Sequence, residues 1–289
     1  MQVKKARELG FCFGVKKTLK LFDDMGADSS GVHTLGTLVH NPQVVKSLQA
    51  RGVGVAQDVA SVPGGTLTIT AHGASPTSIA EAQRRGLRLV DTTCPLVTKV
   101  QKIAQDLHNQ GYQVVVFGDH KHQEVRGIVG WTDDTALVSA DAEELVPRLI
   151  ALSRSGKRVP KRLAVVSQTT QPAERFKKFI ADLFSHLPDD FREVQVHNTI
   201  CDPTLDRQSA VIDLAQEVDI MIVVGGHDSA NTRHLAELSE EEGLETYHVE
   251  WPDELRPEWF EGHMVAGVTA GASTPDDVIE EVVRRIEMY

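Results

Sequence analysis

The stretch LVDTTCPLV, residues 89–97, places Cys94 between an apolar segment typical of a strand end and a helical pattern that follows it. Pro95 suits the first turn of a helix, because its φ is fixed and its missing N–H would have no partner there. A thiolate at this point lies in the positive field of the helix N-terminus, which favours the ionised, metal-binding form. A single cysteine at such a junction is nevertheless more typical of a buried structural residue.

The two other cysteines occupy the same local setting. Cys12 lies in GFCFG and Cys201 in HNTICDPT, each between a predicted strand and a predicted helix. The three cysteines fall roughly one to each third of the chain, and no CxxC motif supports a zinc knuckle or a redox pair. Three interpretations stay open: an iron–sulfur cluster with one iron that lacks a protein thiolate, a zinc site, or three buried structural cysteines.

Length and composition predict a multidomain α/β protein. The chain has 289 residues, which exceeds the usual size of one domain. Short apolar strands alternate with amphipathic helices from end to end, which is typical of α/β architecture. Hydrophobic residues make up 41% and charged residues 25%, as in ordinary globular proteins.

Charge and hydropathy predict a cytoplasmic protein without nucleic-acid or membrane partners. The net charge of −11 argues against a broad basic surface for nucleic acid. No apolar run approaches the roughly 18 residues that a spanning helix needs. The first residues, MQVKKARELG, lack the apolar core of a signal peptide.

Five junctions after predicted strands are rich in serine, threonine and histidine, at residues 68–76, 114–124, 164–172, 221–232 and 265–275. Open α/β sheets bind their ligands at the carboxyl ends of strands, and the N–H groups of the following helix can hold phosphate. These junctions therefore predict a shared polar site. The absence of GxxxxGK[ST] excludes a P-loop, and the absence of GxGxxG after a strand weakens a nucleotide-cofactor interpretation.

Four titratable residues at these strand ends are candidates for chemistry: His40, His72, His122 and Glu124. A histidine there can bind an anion, although a lone histidine is more often structural. A glutamic acid in a partly dry site can deliver protons, because burial raises its pKa. The alternative is that Glu124 only faces the dipole of a helix first turn.

Several hydroxyl and amide side chains at the junctions have two compatible roles. Thr169 in SQTTQP could relay a proton or cap a helix. Ser229, Asn231 and Ser273 could donate hydrogen bonds to an anion, and they also suit N-caps.

Nine ordered motifs resemble those of the LytB/IspH family of 4-hydroxy-3-methylbut-2-enyl diphosphate reductases. They are GFCFGVKK, TLVHNPQVV, AHGAS, VDTTCPLVTKV, HQEVRGIVG, SQTTQ, NTICDPT, VVGGHDSANTRHLAEL and VTAGASTPD. The resemblance runs from about Val3 to the last predicted helix and includes all three cysteines.

The resemblance implies three α/β domains, related by pseudo-threefold symmetry, in a trefoil around a central [4Fe-4S] cluster bound by Cys12, Cys94 and Cys201. It implies domains at 14–95 with Cys94, at 96–195 with the loops of His122, Glu124 and Thr169, and at 196–289 plus the N-terminal strand 1–13. The last domain carries Cys201 and the loops of Ser229, Asn231 and Ser273.

The resemblance also implies the reaction. It implies an enzyme that removes the hydroxyl group of (E)-4-hydroxy-3-methylbut-2-enyl diphosphate as water and forms isopentenyl and dimethylallyl diphosphates, the last step of the methylerythritol phosphate pathway. A ferredoxin or flavodoxin is the electron donor expected from the resemblance, and the fourth iron is expected to bind the substrate hydroxyl. The implied diphosphate contacts are His40, His72, His122, Thr169, Ser229, Ala230, Asn231 and Ser273. The implied catalytic residues are Glu124, Thr169 and His122.

Two departures from the family pattern carry expectations of their own. Gln123 stands where the family often has proline, which predicts a looser turn before Glu124. Ala230 stands where many members have serine, so one hydroxyl contact is lost while the backbone N–H remains.

Two other functions stay open: a redox-neutral [4Fe-4S] dehydratase, similar to quinolinate synthase, and an iron–sulfur sensor or storage protein.

Overall fold

The computed structural model describes residues 1–24, 31–153 and 161–289. Its strands are β1 (Gln2–Lys5), β2 (Val32–Leu35), β3 (Gly54–Ala56), β4 (Thr66–Ile69), β5 (Arg88–Asp91), β6 (Gln113–Phe117), β7 (Leu137–Ser139), β8 (Arg162–Ser167), β9 (Glu193–His197), β10 (Ile220–Val224), β11 (Glu245–Val249) and β12 (Val265–Ala270). Its helices are α1 (Phe13–Asp24), α2 (Pro42–Ala50), α3 (Pro76–Arg84), α4 (Pro95–Asn109), α5 (Gln123–Gly130), α6 (Ala142–Ser153), α7 (Ala173–His186), α8 (Asp202–Ala215), α9 (Ala230–Glu241) and α10 (Asp276–Glu287). Short 3₁₀ helices lie at Pro252–Glu254 and Pro257–Phe260. The predicted α/β class is confirmed.

The strands form three parallel, four-stranded sheets that repeat one topology. Their orders are β3-β2-β4-β5 (sheet I), β7-β6-β8-β9 (sheet II) and β11-β10-β12-β1 (sheet III). In each sheet an edge strand, β5, β9 or β1, leads into the loop that carries a cysteine. The five polar junctions instead follow central strands: β4 in sheet I, β6 and β8 in sheet II, and β10 and β12 in sheet III. The three sheets therefore share one topology. In each of them, the cysteine loop and the polar junctions follow the carboxyl ends of the strands.

Burial on both faces explains the apolar strands. The central strands β6 and β10 read QVVVF and IMIVV and are buried at every residue. Parallel strands covered by helices on both faces are continuous apolar runs rather than alternating ones. Helix α10 supplies one such cover: its buried Ile279, Val282, Val283 and Ile286 recur with helical spacing and pack on sheet III. The polar loops at the strand ends are thus set on a rigid apolar support.

The chain forms two compact units. Unit one comprises Met1–Asp28, Thr37–Gly52 and Cys201–Tyr289, and unit two comprises Ser29–Gly36 and Val53–Ile200. Unit one holds sheet III, and unit two holds sheets I and II. The three-domain division at 14–95, 96–195 and 196–289 with 1–13 stays a prediction. The described residues include no helix that is both long and apolar enough to cross a membrane.

Candidate active site

All three cysteines occupy the N-terminal end of a helix, as the sequence predicts. The carbonyl oxygen of each accepts the first helical hydrogen bond from the backbone N–H four residues on: Cys12 from Lys16 at 3.0 Å, Cys94 from Thr98 at 2.9 Å, and Cys201 from Leu205 at 3.1 Å. None of the three cysteines is in a disulfide, and each is partly exposed. Each cysteine therefore lies at the positive end of a helix dipole.

Two of the cysteine loops are fastened to a neighbouring polar loop. In unit one, the Cys12 N–H donates to Ala272 O at 3.0 Å, and in unit two the Cys94 N–H donates to Ala71 O at 3.1 Å. At the third cysteine, the Cys201 Sγ lies 3.2 Å from the Thr204 hydroxyl, which can donate to a thiolate. The cysteine positions are thus supported by hydrogen bonds of the backbone and of a side chain.

Arg207 is a buried residue that the sequence analysis missed. Its guanidinium donates to Gly10 O at 2.6 Å and to Pro203 O at 2.7 Å, and only 3% of the residue is exposed. Gly10 lies two residues before Cys12, and Pro203 lies two after Cys201. Arg207 therefore holds the backbone of both cysteine loops of unit one. The sequence signal that could have identified Arg207 was its position as a charged residue on the apolar face of α8.

Ser229, Asn231 and Ser273, the candidate anion donors of unit one, gather at two loops. Ser229 is the N-cap of α9 and accepts from the Thr232 N–H at 3.3 Å, and the Ser273 hydroxyl donates to His40 O at 3.4 Å. The Asn231 side-chain nitrogen is buried and has no hydrogen-bond partner among the described residues. An unpaired buried donor costs about 1–3 kcal/mol, so an acceptor supplied by a ligand would relieve this site.

His40 is predominantly neutral in this setting. Burial lowers its pKa below the ordinary histidine value, Asp228 opposes that shift, and Arg233 adds to it. A neutral imidazole donates one N–H and accepts at its other nitrogen. His40 can therefore contribute a hydrogen bond to an anion without contributing a full positive charge.

Glu124 and Thr169 form a buried, hydrogen-bonded pair in unit two. The Thr169 N–H donates to Glu124 Oε1 at 2.7 Å, and the Thr169 hydroxyl donates to Glu124 Oε2 at 2.8 Å. Burial raises the pKa of Glu124 to about 7, although both hydrogen bonds from Thr169 oppose the shift. Glu124 is 1% exposed, so its carboxyl group can hold a proton near neutral pH.

His72 and His122 lie side by side in the same unit. Their ring centroids are 5.5 Å apart with the rings edge to face. His122 is the N-cap of α5, and its Nδ1 accepts from the Glu124 N–H at 3.2 Å. This bond fixes Nδ1 of His122 as the acceptor and leaves Nε2 to carry the proton of the neutral ring.

Comparison of the chain with known proteins identifies its family. The sequence profile of the family described as LytB protein matches residues 3–287. The chain belongs to the LytB family. The predicted resemblance is confirmed.

Relatives in the LytB family are similar over their whole length. The 4-hydroxy-3-methylbut-2-enyl diphosphate reductase of Pelobacter propionicus is 44% identical over 99% of this chain and 98% of its own. The reductase of Geobacter sulfurreducens is 40% identical over 100% and 98%. A solved (E)-4-hydroxy-3-methyl-but-2-enyl diphosphate reductase, titled the terminal enzyme of the non-mevalonate pathway, covers both chains fully at 38% identity and a TM-score of 0.68. The Plasmodium falciparum structure, at 24% identity and a TM-score of 0.87, shares the fold.

The looser turn expected from Gln123 in this LytB chain is not observed. Gln123 is the first residue of α5, and its side-chain nitrogen donates to Leu35 O and, at 3.0 Å, to Thr70 Oγ1. Two side-chain hydrogen bonds thus hold the turn before Glu124. Ala230, the other departure, is buried at the first position of α9, where its N–H is one of the free donors of the helix start.

The stability of this LytB protein should depend on pH through Glu124. The folded-state pKa of about 7 lies above the roughly 4.3 of an unfolded glutamate, so the stability contributed by the protonated group is lost as pH rises through 7. From pH 6 to pH 8, the free energy of unfolding should fall by about 1 kcal/mol relative to Glu124→Gln. Anaerobic denaturant titrations of both proteins measure this difference; parallel pH profiles would contradict it.

Proposed function

We propose that this chain reduces (E)-4-hydroxy-3-methylbut-2-enyl diphosphate to isopentenyl and dimethylallyl diphosphates. The reaction consumes two electrons and two protons, breaks the carbon–oxygen bond and releases water. The observation that carries the proposal is the buried Glu124–Thr169 pair, a proton donor poised near neutral pH in a chain whose full-length relatives bear the name of this reductase.

Cys12, Cys94 and Cys201 would hold the [4Fe-4S] cluster. The donor set fits the group: three partly exposed cysteines outside any disulfide, each at the N-terminal end of a helix, where the dipole favours negative charge. Three thiolates leave one iron of a four-iron cluster without a protein ligand. When bound, the cluster would pass electrons to the substrate and act as a Lewis acid toward its hydroxyl group.

Neutral and hydrogen-bonding groups would bind the diphosphate. His40, Ser229, the N–H of Ala230, Asn231 and Ser273 are the donors of unit one, and His72, His122 and Thr169 are those of unit two. The unpaired buried nitrogen of Asn231 supports this role, since it lacks an acceptor among the described residues. Donors at helix starts bind anions without an overall positive charge, which suits a chain with a net charge of −11.

Glu124 would supply a proton through Thr169. When Glu124 is protonated, its Oε2–H can donate to the Thr169 hydroxyl oxygen, 2.8 Å away. The Thr169 proton is then free to point at the substrate. Transfer along this pair moves one proton from Oε2 to the threonine oxygen while the threonine proton leaves, so the pair supplies one of the two protons that the reaction consumes. His122 accepts from the Glu124 N–H and so orients the loop.

Anaerobic purification, iron and sulfide analysis, and turnover assays test the proposed function. We expect about four irons per chain, a spectral change with the allylic diphosphate, and product only when a reductant is present. Dehydration without a reductant would instead support the redox-neutral dehydratase. A colourless zinc protein would refute the cluster, and a cluster protein without turnover would support the sensor or storage hypothesis.

We also propose that the electron donor is an acidic carrier such as ferredoxin or flavodoxin, and one face of α1 supports it. Phe13 directly follows Cys12 and is 66% exposed. The exposed Lys16, Lys17 and Lys20 lie three, four and seven residues further on, so all four side chains share one helix face. This face, the α1 stripe, is basic although the chain is acidic, and in the described part of the chain its lysines form no ion pair.

Reversing the charges of the α1 stripe should weaken turnover with a protein electron donor but not turnover with a small reductant. In Lys16→Glu/Lys17→Glu, we expect the KM for reduced flavodoxin to rise by about tenfold or more at low salt, because electrostatic attraction steers association. Turnover with dithionite should stay within about twofold of wild type, since that reductant is small. The matched control is Lys177→Glu/Lys178→Glu, an exposed lysine pair on α7. Equal effects of both double variants would refute the stripe.

A further inference from the structure

We propose that Gln123 is a positioning residue that sets the tautomer of His72 through Thr70. The side chains form one hydrogen-bonded chain at the carboxyl edge of sheet I: Gln123 Nε2 to Thr70 Oγ1 at 3.0 Å, and Thr70 Oγ1 to His72 Nδ1 at 3.3 Å. Which group donates and which accepts in these two hydrogen bonds decides which ring nitrogen of His72 carries its proton. The inference rests on the proposed function only for the identity of the anion that His72 binds.

The backbone of β2 determines how the Gln123 amide is oriented. Its nitrogen contacts the carbonyl oxygen of Leu35, which can only accept a hydrogen bond, so the amide oxygen cannot take that place. The amide also lies over Gly36, where an added Cβ would be 2.5–2.9 Å from the amide atoms. Gly36 has φ of +74°, a conformation that glycine adopts without strain. The local backbone therefore both accepts and makes room for this amide.

The orientation of Gln123 then decides what Thr70 does. The second N–H of the amide donates to Thr70 Oγ1, so that oxygen acts as an acceptor and keeps its own proton for donation. Thr70 is fully buried, and His72 Nδ1 is the acceptor that lies within reach. A donor left unpaired in the interior is costly, so the hydroxyl proton points to Nδ1.

His72 consequently holds its ring proton at Nε2. With Nδ1 accepting from Thr70, a neutral imidazole has its N–H on the opposite side of the ring. His122 reaches the same state by another route, because its Nδ1 accepts from the Glu124 N–H. The two neighbouring imidazoles thus both carry their proton on Nε2, the nitrogen that would donate to an anion. The Gln123 amide, acting through Thr70, makes Nδ1 of His72 an acceptor, as the Glu124 N–H does for Nδ1 of His122.

The test is to read the tautomer of His72 directly. Long-range ¹H–¹⁵N NMR correlations of the histidine-labelled full chain are recorded at pH 8, where free imidazoles are neutral, with His72→Phe to assign the signal. We expect the Nε2–H tautomer in the wild type. In Gln123→Glu the carboxylate can only accept, so Thr70 must donate to it, and the Nδ1–H tautomer of His72 should become the main form. Thr70→Val should mix the two tautomers, and Thr70→Ser should restore the wild-type state.

Thr68→Val is the matched control. Thr68 lies two residues earlier on β4 and is also fully buried, but its hydroxyl has no hydrogen-bond partner among the described residues. We expect it to leave the tautomer of His72 unchanged. An Nδ1–H tautomer in the wild type, or an unchanged spectrum in both Thr70→Val and Gln123→Glu, would overturn the proposal. If one variant fails to fold, the other still tests it.

Anion binding gives a second readout, with inorganic pyrophosphate as the probe. In calorimetric titrations of the protein, Thr70→Val should weaken pyrophosphate binding by about threefold to tenfold, while Thr70→Ser and Thr68→Val match the wild type. Because Thr70→Val is uncharged, the loss cannot come from repulsion of the anion. Neither readout needs turnover. If the variants shift the tautomer of His72 but the wild type has no reductase activity, only the proposed function is refuted. If the wild type is fully active but the variants leave the tautomer unchanged, only this inference is refuted.

Discussion

Glu124→Gln is expected to lower kcat by about 10²–10⁴-fold, the range that a positioned general acid contributes. The amide keeps the shape of the carboxyl group and can accept from the Thr169 N–H and donate to the Thr169 hydroxyl, so the fold and the iron content should match the wild type. What it lacks is a transferable proton. Turnover with dithionite and a viologen mediator, measured beside iron content and the KM for the allylic diphosphate, checks this.

Thr169→Val and Thr169→Ser show whether the proton travels through the hydroxyl. The valine variant retains the backbone N–H bond to Glu124 but loses the hydroxyl, and the serine variant keeps both. We therefore expect a large loss in Thr169→Val and substantial recovery in Thr169→Ser. In the wild type, kcat should fall as pH rises through about 7, because the acid is then ionised. Near-wild-type turnover of Glu124→Gln would remove Glu124 from the mechanism.

Cys94→Ala is expected to abolish turnover and to release most of the bound iron. The variant removes one of three proposed thiolate ligands, and a four-iron cluster held by two thiolates has two irons without protein ligands. Iron and sulfide analysis of anaerobically reconstituted protein, with the visible absorption spectrum, measures the loss. Circular dichroism should remain close to that of the wild type, because the Cys94 N–H bond to Ala71 O involves only the backbone.

Pro95→Ala is the matched control for the cysteine variant. It changes the next residue at the start of α4 and leaves the thiol in place. We expect it to retain the cluster and to lose only a small part of the free energy of unfolding, since alanine fits a helix first turn. Full iron content in Cys94→Ala would exclude Cys94 as a ligand. Equal iron loss in both variants would point to the helix start rather than the sulfur.

The amino-acid sequence by itself determined the local features of this protein. Pro95 after Cys94, the capping residue Ser229, and the apolar runs of the central strands are short-range signals, and the structure has them where the pattern predicts. The setting of all three cysteines at helix starts belongs to the same class. These features depend on backbone conformation and on periodicity within a few residues, which a linear pattern records.

The tertiary structure alone decided the properties that depend on distant residues. Burial raises the pKa of Glu124 against the opposing hydrogen bonds of Thr169, 45 residues away, and Arg207 reaches Gly10 across 197 residues. The looser turn expected from Gln123 was wrong because its amide bonds Leu35, 88 residues earlier. Desolvation and hydrogen-bond direction are set by whichever groups packing brings within about 3 Å. No local pattern encodes that choice, so the chemistry of Cys94, Glu124 and His72 follows from packing that only the folded chain defines.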